Sequence, residues 1–350
     1  MPERALDKPR RIALAGTLVV AAVALAACGA AEGGPQTGGS PDVTGDAFPV
    51  TIEHKYGTTE VGAPPERVLS LGFNEQDFAL ALGVRPIAVR EWMGERPSAT
   101  WPWAQDELGD AEPEVLPAGE LNCEQIAALR PDLILATYAG ITESDYEKLS
   151  RIAPTVAQTD EYVDYGMPWQ EQTLMIGRAL GRESEAERLV AEIERQFERA
   201  RQEHPEFGRA VAIAAYQEES GSIGAYSSQD PRGRFLASLG FRAPAEIDDL
   251  AGDQFFTRVS GEQLRLIDED VLVMVDIGEI AASRDELLGD PLYRRPDVVR
   301  DGADVYPDEE VAAALSFSTP LSLPLAIEEL VPELAAAVEA TSGAGAGDAE

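Results

Sequence analysis

Two cysteines, Cys28 and Cys123, and two histidines, His54 and His204, supply all the thiol and imidazole chemistry in this chain of 350 residues. A multi-histidine zinc or manganese site needs more ligands than that, and His204 stands beside Pro205 at an expected helix end. The chain has no Gly-x-Ser-x-Gly elbow, no phosphate-cradling glycine loop with a lysine, and no base spaced to activate Cys123. Carboxylates number 63, so pairs at acid–base spacing arise by chance, and none has the loop pattern of a calcium site. An enzyme reading therefore has no positive support, and no cofactor or resident metal is expected.

The thiol with a clear task is Cys28. Leu25-Ala26-Ala27-Cys28 closes an apolar run that starts at Ile12, behind Lys8, Arg10 and Arg11. That is the layout of a signal peptide, and at about 16 residues the run is short for a membrane span of roughly 20. A small pair before a cysteine at this point resembles the bacterial lipoprotein signal, in which the thiol receives a diacylglycerol and becomes the new N-terminus. An ordinary secretory peptide with a chance cysteine is the plainer alternative. Residues 1–27 are expected to be removed, and 28–47, rich in Gly, Ala, Pro and Ser, to form a flexible linker. The folded part is then held by lipid on the extracytoplasmic face of the cell membrane. Cys123, left without a disulfide partner, reads as a small buried hydrophobe.

Residues 1–27 carry four basic and two acidic side chains, so their removal takes the net charge from −35 to −37. Charge of that size and sign repels nucleic acid.

The elements that must position any site begin with a hairpin over Phe48–Val61. A strand–helix rhythm follows: strand Arg67–Leu71, helix Gln76–Leu82, strand Pro86–Arg90, strand Val115-Leu116, helix from the Asn122 cap to Arg130, strand Asp132–Ala136, helix Thr142–Ile152 and strand Thr155–Gln158. The stretch 168–203 has helical apolar periodicity, interrupted near Gly181. A second alternating unit runs through strands Arg209–Tyr216, Ile223–Tyr226, Val271–Asp276 and Ala303–Tyr306, with helices Gly233–Leu239, Gly261–Leu266 and Ser283–Leu288. The last helix spans Leu323–Val338, and 341–350 reads as a disordered tail. Strands alternating with helices imply mainly parallel sheets. The fold class is α/β: two Rossmann-like lobes, 48–167 and 204–340, with a cleft between them, joined by one long helix over 168–203. Small-molecule sites favour such clefts.

The run Leu121-Asn122-Cys123-Glu124-Gln125-Ile126-Ala127-Ala128-Leu129-Arg130-Pro131-Asp132-Leu133-Ile134 resembles a segment of the helical-backbone substrate-binding proteins that serve ABC importers of iron-siderophores, haem and cobalamin. Val259-Ser260-Gly261-Glu262-Gln263-Leu264 stands at the matching place in the second lobe. The resemblance covers essentially the whole mature chain, and the spacing of Trp92, Trp101-Pro102-Trp103-Ala104 is similar to the iron-siderophore branch. It implies that Glu124 and Glu262 meet arginines on the two permease subunits, although each also suits its own helix N-terminus through the helix dipole.

A ferric siderophore calls for aromatic faces and guanidinium groups. The resemblance places ligand candidates after cleft-facing strand ends: Arg90, Trp92, Trp101, Trp103 and Tyr138 in the first lobe, and Tyr226, Arg232, Arg234, Phe256 and Arg258 in the second. Trp101 and Trp103 flank Pro102 and equally suit pinning a loop. Arg232 follows Pro231 in an expected turn, and Arg234 equally suits a helix surface. Phe256 lies where cobalamin-binding relatives place an aromatic against the ligand. Six residues before Glu124, where some relatives carry an Arg or Trp contact, this chain has Ala118, which implies a wider pocket.

The reading is a lipid-anchored monomer that binds a ferric siderophore and delivers it to an ABC permease driven by a cytoplasmic ATPase. Haem or cobalamin is the alternative ligand within the family, with Tyr138 or Tyr226 as a haem ligand. A surface scaffold and a lipoprotein hydrolase are the alternatives outside it.

Overall fold

A computed structural model describes residues 48–218, 222–275 and 284–347. The signal segment 1–27 and the whole linker 28–47, Cys28 included, lie outside the described residues, as do Asp276 and Ser283 at two expected element ends.

The chain opens with the antiparallel hairpin β1 (Val50–His54) and β2 (Gly57–Val61), Val50 opposite Val61 and His54 opposite Gly57. Ile52, His54, Thr59 and Val61 alternate into the interior, as the two-residue period of a strand requires.

The first lobe is a five-stranded parallel sheet of order β5-β4-β3-β6-β7, built from β3 (Val68–Ser70), β4 (Ala88–Arg90), β5 (Glu114–Leu116), β6 (Leu133–Ala136) and β7 (Thr155–Ala157). Helices α1 (Glu75–Ala81), α2 (Gln105–Leu108), α3 (Cys123–Leu129) and α4 (Glu143–Leu149) connect them. Asn122 caps α3 by accepting from the Glu124 and Gln125 N–H groups, and Thr142 with Asp145 forms a capping box on α4. Along β6, Leu133 and Leu135 face one core while Ile134 and Ala136 face another. Each fully buried aliphatic side chain there contributes about 1.5–3 kcal/mol. Strand order reverses between β3 and β6, so a crevice opens outside their carboxyl ends.

The expected single long helix is two. Helix α5 (Trp169–Ala179) stops at Leu180, Gly181 turns the chain at φ +66°, and α6 (Glu183–Glu203) begins. The Gly181 N–H donates to Arg178 O and the Arg182 N–H to Gly177 O, the closure that a left-handed glycine after a helix allows. A Cβ on Gly177 would collide with Ala186, so the two helices pack closely. Their apolar residues Trp169, Ile176, Ile193 and Phe197 belong to one core that continues into both lobes.

The second sheet has order β10-β9-β8-β11-β12: β8 (Ala212–Gln217), β9 (Ile223–Tyr226), β10 (Phe256–Val259), β11 (Val271–Met274) and β12 (Asp304–Val305). It is mixed, not mainly parallel. Strands β8, β11 and β12 are parallel, whereas β9 is antiparallel to both neighbours. A parallel crossover needs about a dozen residues, and the short link from Gln217 to Ile223 permits only a hairpin. Strand β10 was not expected from the sequence, and it sets Phe256 opposite Tyr226.

Helices α7 (Pro231–Ser238), α8 (Ala245–Ala251), α9 (Arg284–Gly289), α10 (Asp297–Arg300), α11 (Glu309–Phe317) and α12 (Leu323–Gly347) complete the lobe. The expected helix at 261–266 is instead a turn at Gly261-Glu262 followed by a 3-10 turn, Leu264–Ile267. Helix α12 runs through the segment read as a tail as far as Gly347. Among the described residues no helix is long and apolar enough to cross a membrane.

Candidate ligand-binding site

The crevice at the strand reversal is organised by buried carboxylates on α1. The Glu75 side chain folds back over Gly72, where any Cβ would collide with it. Its Oε1 accepts from the Tyr138 N–H at 2.6 Å and the Thr137 hydroxyl at 3.4 Å. Burial pushes its pKa up to about 7 against those donors. Asp77 Oδ2 accepts from Trp103 Nε1 and from the Thr319 hydroxyl of the second lobe, both at 2.8 Å, and burial raises it to about 6. Asn74 Nδ2 donates to Phe317 O at 3.0 Å. The first turn of α1 thus holds both the Tyr138 backbone and the neighbouring lobe.

Aromatic rings line the seam between the lobes. Phe73 stacks on Trp92 with centroids 5.6 Å apart, Trp92 meets Tyr138 at 5.8 Å, and Tyr138 meets Tyr165 at 5.1 Å. From the second lobe Phe317 packs on Trp92 at 4.9 Å and Phe255 on Tyr165 at 5.9 Å. Behind Phe255 come Phe256, Tyr216 and Tyr226. Offset and edge-on ring pairs of this kind add about 0.5–1.5 kcal/mol each beyond area burial.

Four arginines reach this band. Arg90, at the end of β4, lies over Phe73 at 4.5 Å and donates through Nη2 to Ala118 O at 2.7 Å and Gly119 O at 2.8 Å. Its buried Nε has no hydrogen-bond partner, and burial lowers its pKa. Arg232 sits over Tyr226 at 4.2 Å, donates to both Asp230 oxygens at 3.1 Å and to the Ser316 hydroxyl at 3.2 Å. Burial raises the Asp230 carboxyl, opposed by Arg232, and a guanidinium buried to 6% exposure needs that counter-charge. Arg234 donates to Gly166 O and Gln229 O, each at 3.1 Å, and so reaches the chain leaving the first lobe. Arg258 is exposed and pairs with Glu218 at 2.7 Å.

A pocket of about 480 Å³ opens beside Arg90, lined by Gly119, Leu121, Gly140, Lys148 and Tyr165 among others, all from the first lobe. Ala118 is exposed and gives its carbonyl to Arg90.

Of the sequence-derived candidates, the structure brings together Arg90, Trp92, Tyr138, Tyr226 and Arg232, with Phe256 and Arg234 at their margins. Trp101 is only 1% exposed; it stacks on Trp103 at 5.2 Å beneath Arg96 and so forms the wall behind the seam. Trp103 lies at the lobe–lobe contact through Asp77. Arg232 is in the first turn of α7, not in a free turn. Glu124 is exposed in the first turn of α3, while Glu262 is exposed in a turn without a helix to support it. Cys123 is half-buried.

Sequence reasoning missed Phe73, Tyr165, Phe255, Phe317 and Asp230. Phe73 follows the end of β3, and Asp230 precedes a Pro at the first helical position, so both carried a signal. Tyr165, at φ +66°, carried none.

Comparison with known proteins gives a consistent result. The model of the periplasmic binding protein family matches residues 75–306. The ferric-anguibactin-binding protein FatB of Vibrio anguillarum is 25% identical over 299 residues, 81% of this chain and 87% of FatB. Among solved structures, a periplasmic solute binding protein from Mycobacterium smegmatis superposes with a TM-score of 0.70 at 35% identity, covering 83% of this chain and 98% of that one. PiaA of Streptococcus pneumoniae in complex with ferrichrome gives a TM-score of 0.69 at 28% identity, over 83% and 99% of the two chains.

Proposed function

The chain belongs to the periplasmic binding protein family, and from that premise we propose that it is the substrate-binding component of an ABC importer and carries a ferric siderophore between its lobes. The observation that carries the reading is the shared aromatic and guanidinium seam: Arg90, Trp92 and Tyr138 on one side, Tyr226 and Arg232 on the other. Rings and planar cations on two facing lobes suit a bulky chelate with a partly aromatic, oxygen-rich surface. FatB is named for ferric anguibactin, and the PiaA structure is a complex with ferrichrome.

The protein holds its cargo without chemistry and presents it to a permease through Glu124 and Glu262, whose charge sets docking orientation more than affinity. Lipid on Cys28 keeps it at the extracytoplasmic membrane face, where its family works, and it acts as a monomer.

Trp92 stands in ring contact with Tyr138 and Phe317, which makes fluorescence a direct readout. Titration of the full chain with ferrichrome and with ferric anguibactin is expected to give saturable quenching, weakened by Arg90→Gln or Trp92→Ala. Binding of haem or cobalamin with no response to any iron chelate would keep the family and overturn the ligand. A Glu124→Ala, Glu262→Ala double variant is expected to bind normally and to fail in uptake by cells. Normal uptake removes the docking role.

A further inference from the structure

Three of the cations around the seam are paired with carboxylates. Arg232 Nη1 contacts both Asp230 oxygens at 3.1 Å, Arg258 donates to Glu218 at 2.7 Å, and Lys148 to Asp145 at 3.3 Å. Among the described seam cations named above, only Arg90 and Arg234 are held by neutral backbone carbonyls. The sequence segments 219–221 and 276–283 contain no Lys or Arg, so they add nothing to this positive charge.

Asp230 is not a movable rim acid. It is 1% exposed and is the N-cap of α7, its Oδ1 accepting the Arg232 N–H at 2.9 Å. Its negative charge is therefore built into the helix start. Tyr138, across the seam, lies within electrostatic reach of both Arg232 and Asp230.

We infer that Asp230, by cancelling the charge of Arg232, fits the cleft to a ferric chelate of no net charge in preference to a multiply anionic one. The inference rests on the siderophore reading above. Three hydroxamates, each singly negative, neutralise Fe(III); three catecholates, each doubly negative, leave three negative charges on the complex. Burying those charges requires comparable uncompensated positive charge, since desolvated ions must be paired. The aromatic band supplies surface for an uncharged complex, and the two arginines held by carbonyls, Arg90 and Arg234, fall short of the three charges that a tris-catecholate complex leaves.

The test is a fluorescence titration of the full chain with ferrichrome, a tris-hydroxamate, and with ferric enterobactin, a tris-catecholate, at low and high salt. Ferrichrome is expected to bind at least about tenfold more tightly, with an affinity that salt leaves unchanged. Asp230→Asn keeps the cap, since Asn serves as well as Asp there, and removes the opposing charge. It is expected to shift the preference between the two chelates about tenfold toward ferric enterobactin. Should the variant fold poorly, the comparison on the unaltered chain decides alone. Equal or tighter binding of ferric enterobactin, weakening as salt rises, overturns the charge inference and leaves the siderophore reading intact. Failure of every iron chelate overturns both.

Discussion

The two lobes bury charge in opposite ways. The first buries Glu75 and Asp77 without a cation in contact, each held by N–H and O–H donors, and their pKa values rise to about 7 and about 6. It also buries Arg90 against two carbonyls. The second lobe buries Asp230 and Arg232 together. Dipoles leave a group able to change its protonation state, whereas an ion pair opposes neutralisation of either partner and penalises removal of either. The first lobe is therefore the one whose stability answers to pH, and the second the one intolerant of single substitutions.

The sharpest way to break that contrast is to remove one arginine from each lobe. Arg232→Gln leaves Asp230 buried without its partner and is expected to cost about 3–5 kcal/mol. Arg90→Gln removes hydrogen bonds to carbonyls that water replaces, and about 1–2 kcal/mol is expected. Urea unfolding of both variants reads the difference, and equal losses would erase the distinction between the lobes.

Next in size is the pH response. Between the ordinary glutamate pKa of 4.5 and about 7, folded Glu75 keeps a proton that the unfolded chain has released. Stability from this group is full below 4.5 and falls as pH rises through 7, by about 3 kcal/mol. Glu75→Gln is expected to flatten that part of the stability profile.

The smallest effect concerns the contact that joins the lobes. Thr319→Val removes one of the two donors to Asp77 and is expected to cost about 1–2 kcal/mol. A loss confined to the second lobe's hydrogen-exchange protection would show that the contact does not couple them.

Much of this architecture was legible in the sequence because local signals agreed with the fold. Asn122 before Cys123-Glu124, Thr142 before Glu143, and the alternating residues of β1 and β2 each mark an element that the structure contains. The Gly181 interruption was visible, but whether it kinked or ended the helix depended on the close approach of Gly177 to Ala186, which is tertiary. Strand β10 has no apolar run of its own; Phe256, Thr257 and Arg258 become strand by pairing with β9. For the site, strand-end reasoning led to Arg90, Trp92 and Tyr138, which the first sheet's regular crossovers set side by side. Whether Trp101 faced a ligand or pinned a loop was open in the sequence, since aromatic character says nothing about which layer a ring occupies, and its burial favours the second. Asp230 went unnoticed because its importance lies in a partner two residues away that reads equally well as free.

The chain crosses between lobes through α5 and α6, with every strand of the first sheet before Trp169 and every strand of the second after Glu203. Domains fold as units, the N-terminal one first as a chain is made. The first lobe accordingly has its whole sheet in hand while the second is still unmade, with one gap. Thr319 and the Phe317 carbonyl, partners of Asp77 and Asn74, arrive 242 and 243 residues later. The seam can therefore close only after α11 and Thr319 have been made, and until then the face of the first lobe that carries Asn74 and Asp77 lacks these partners.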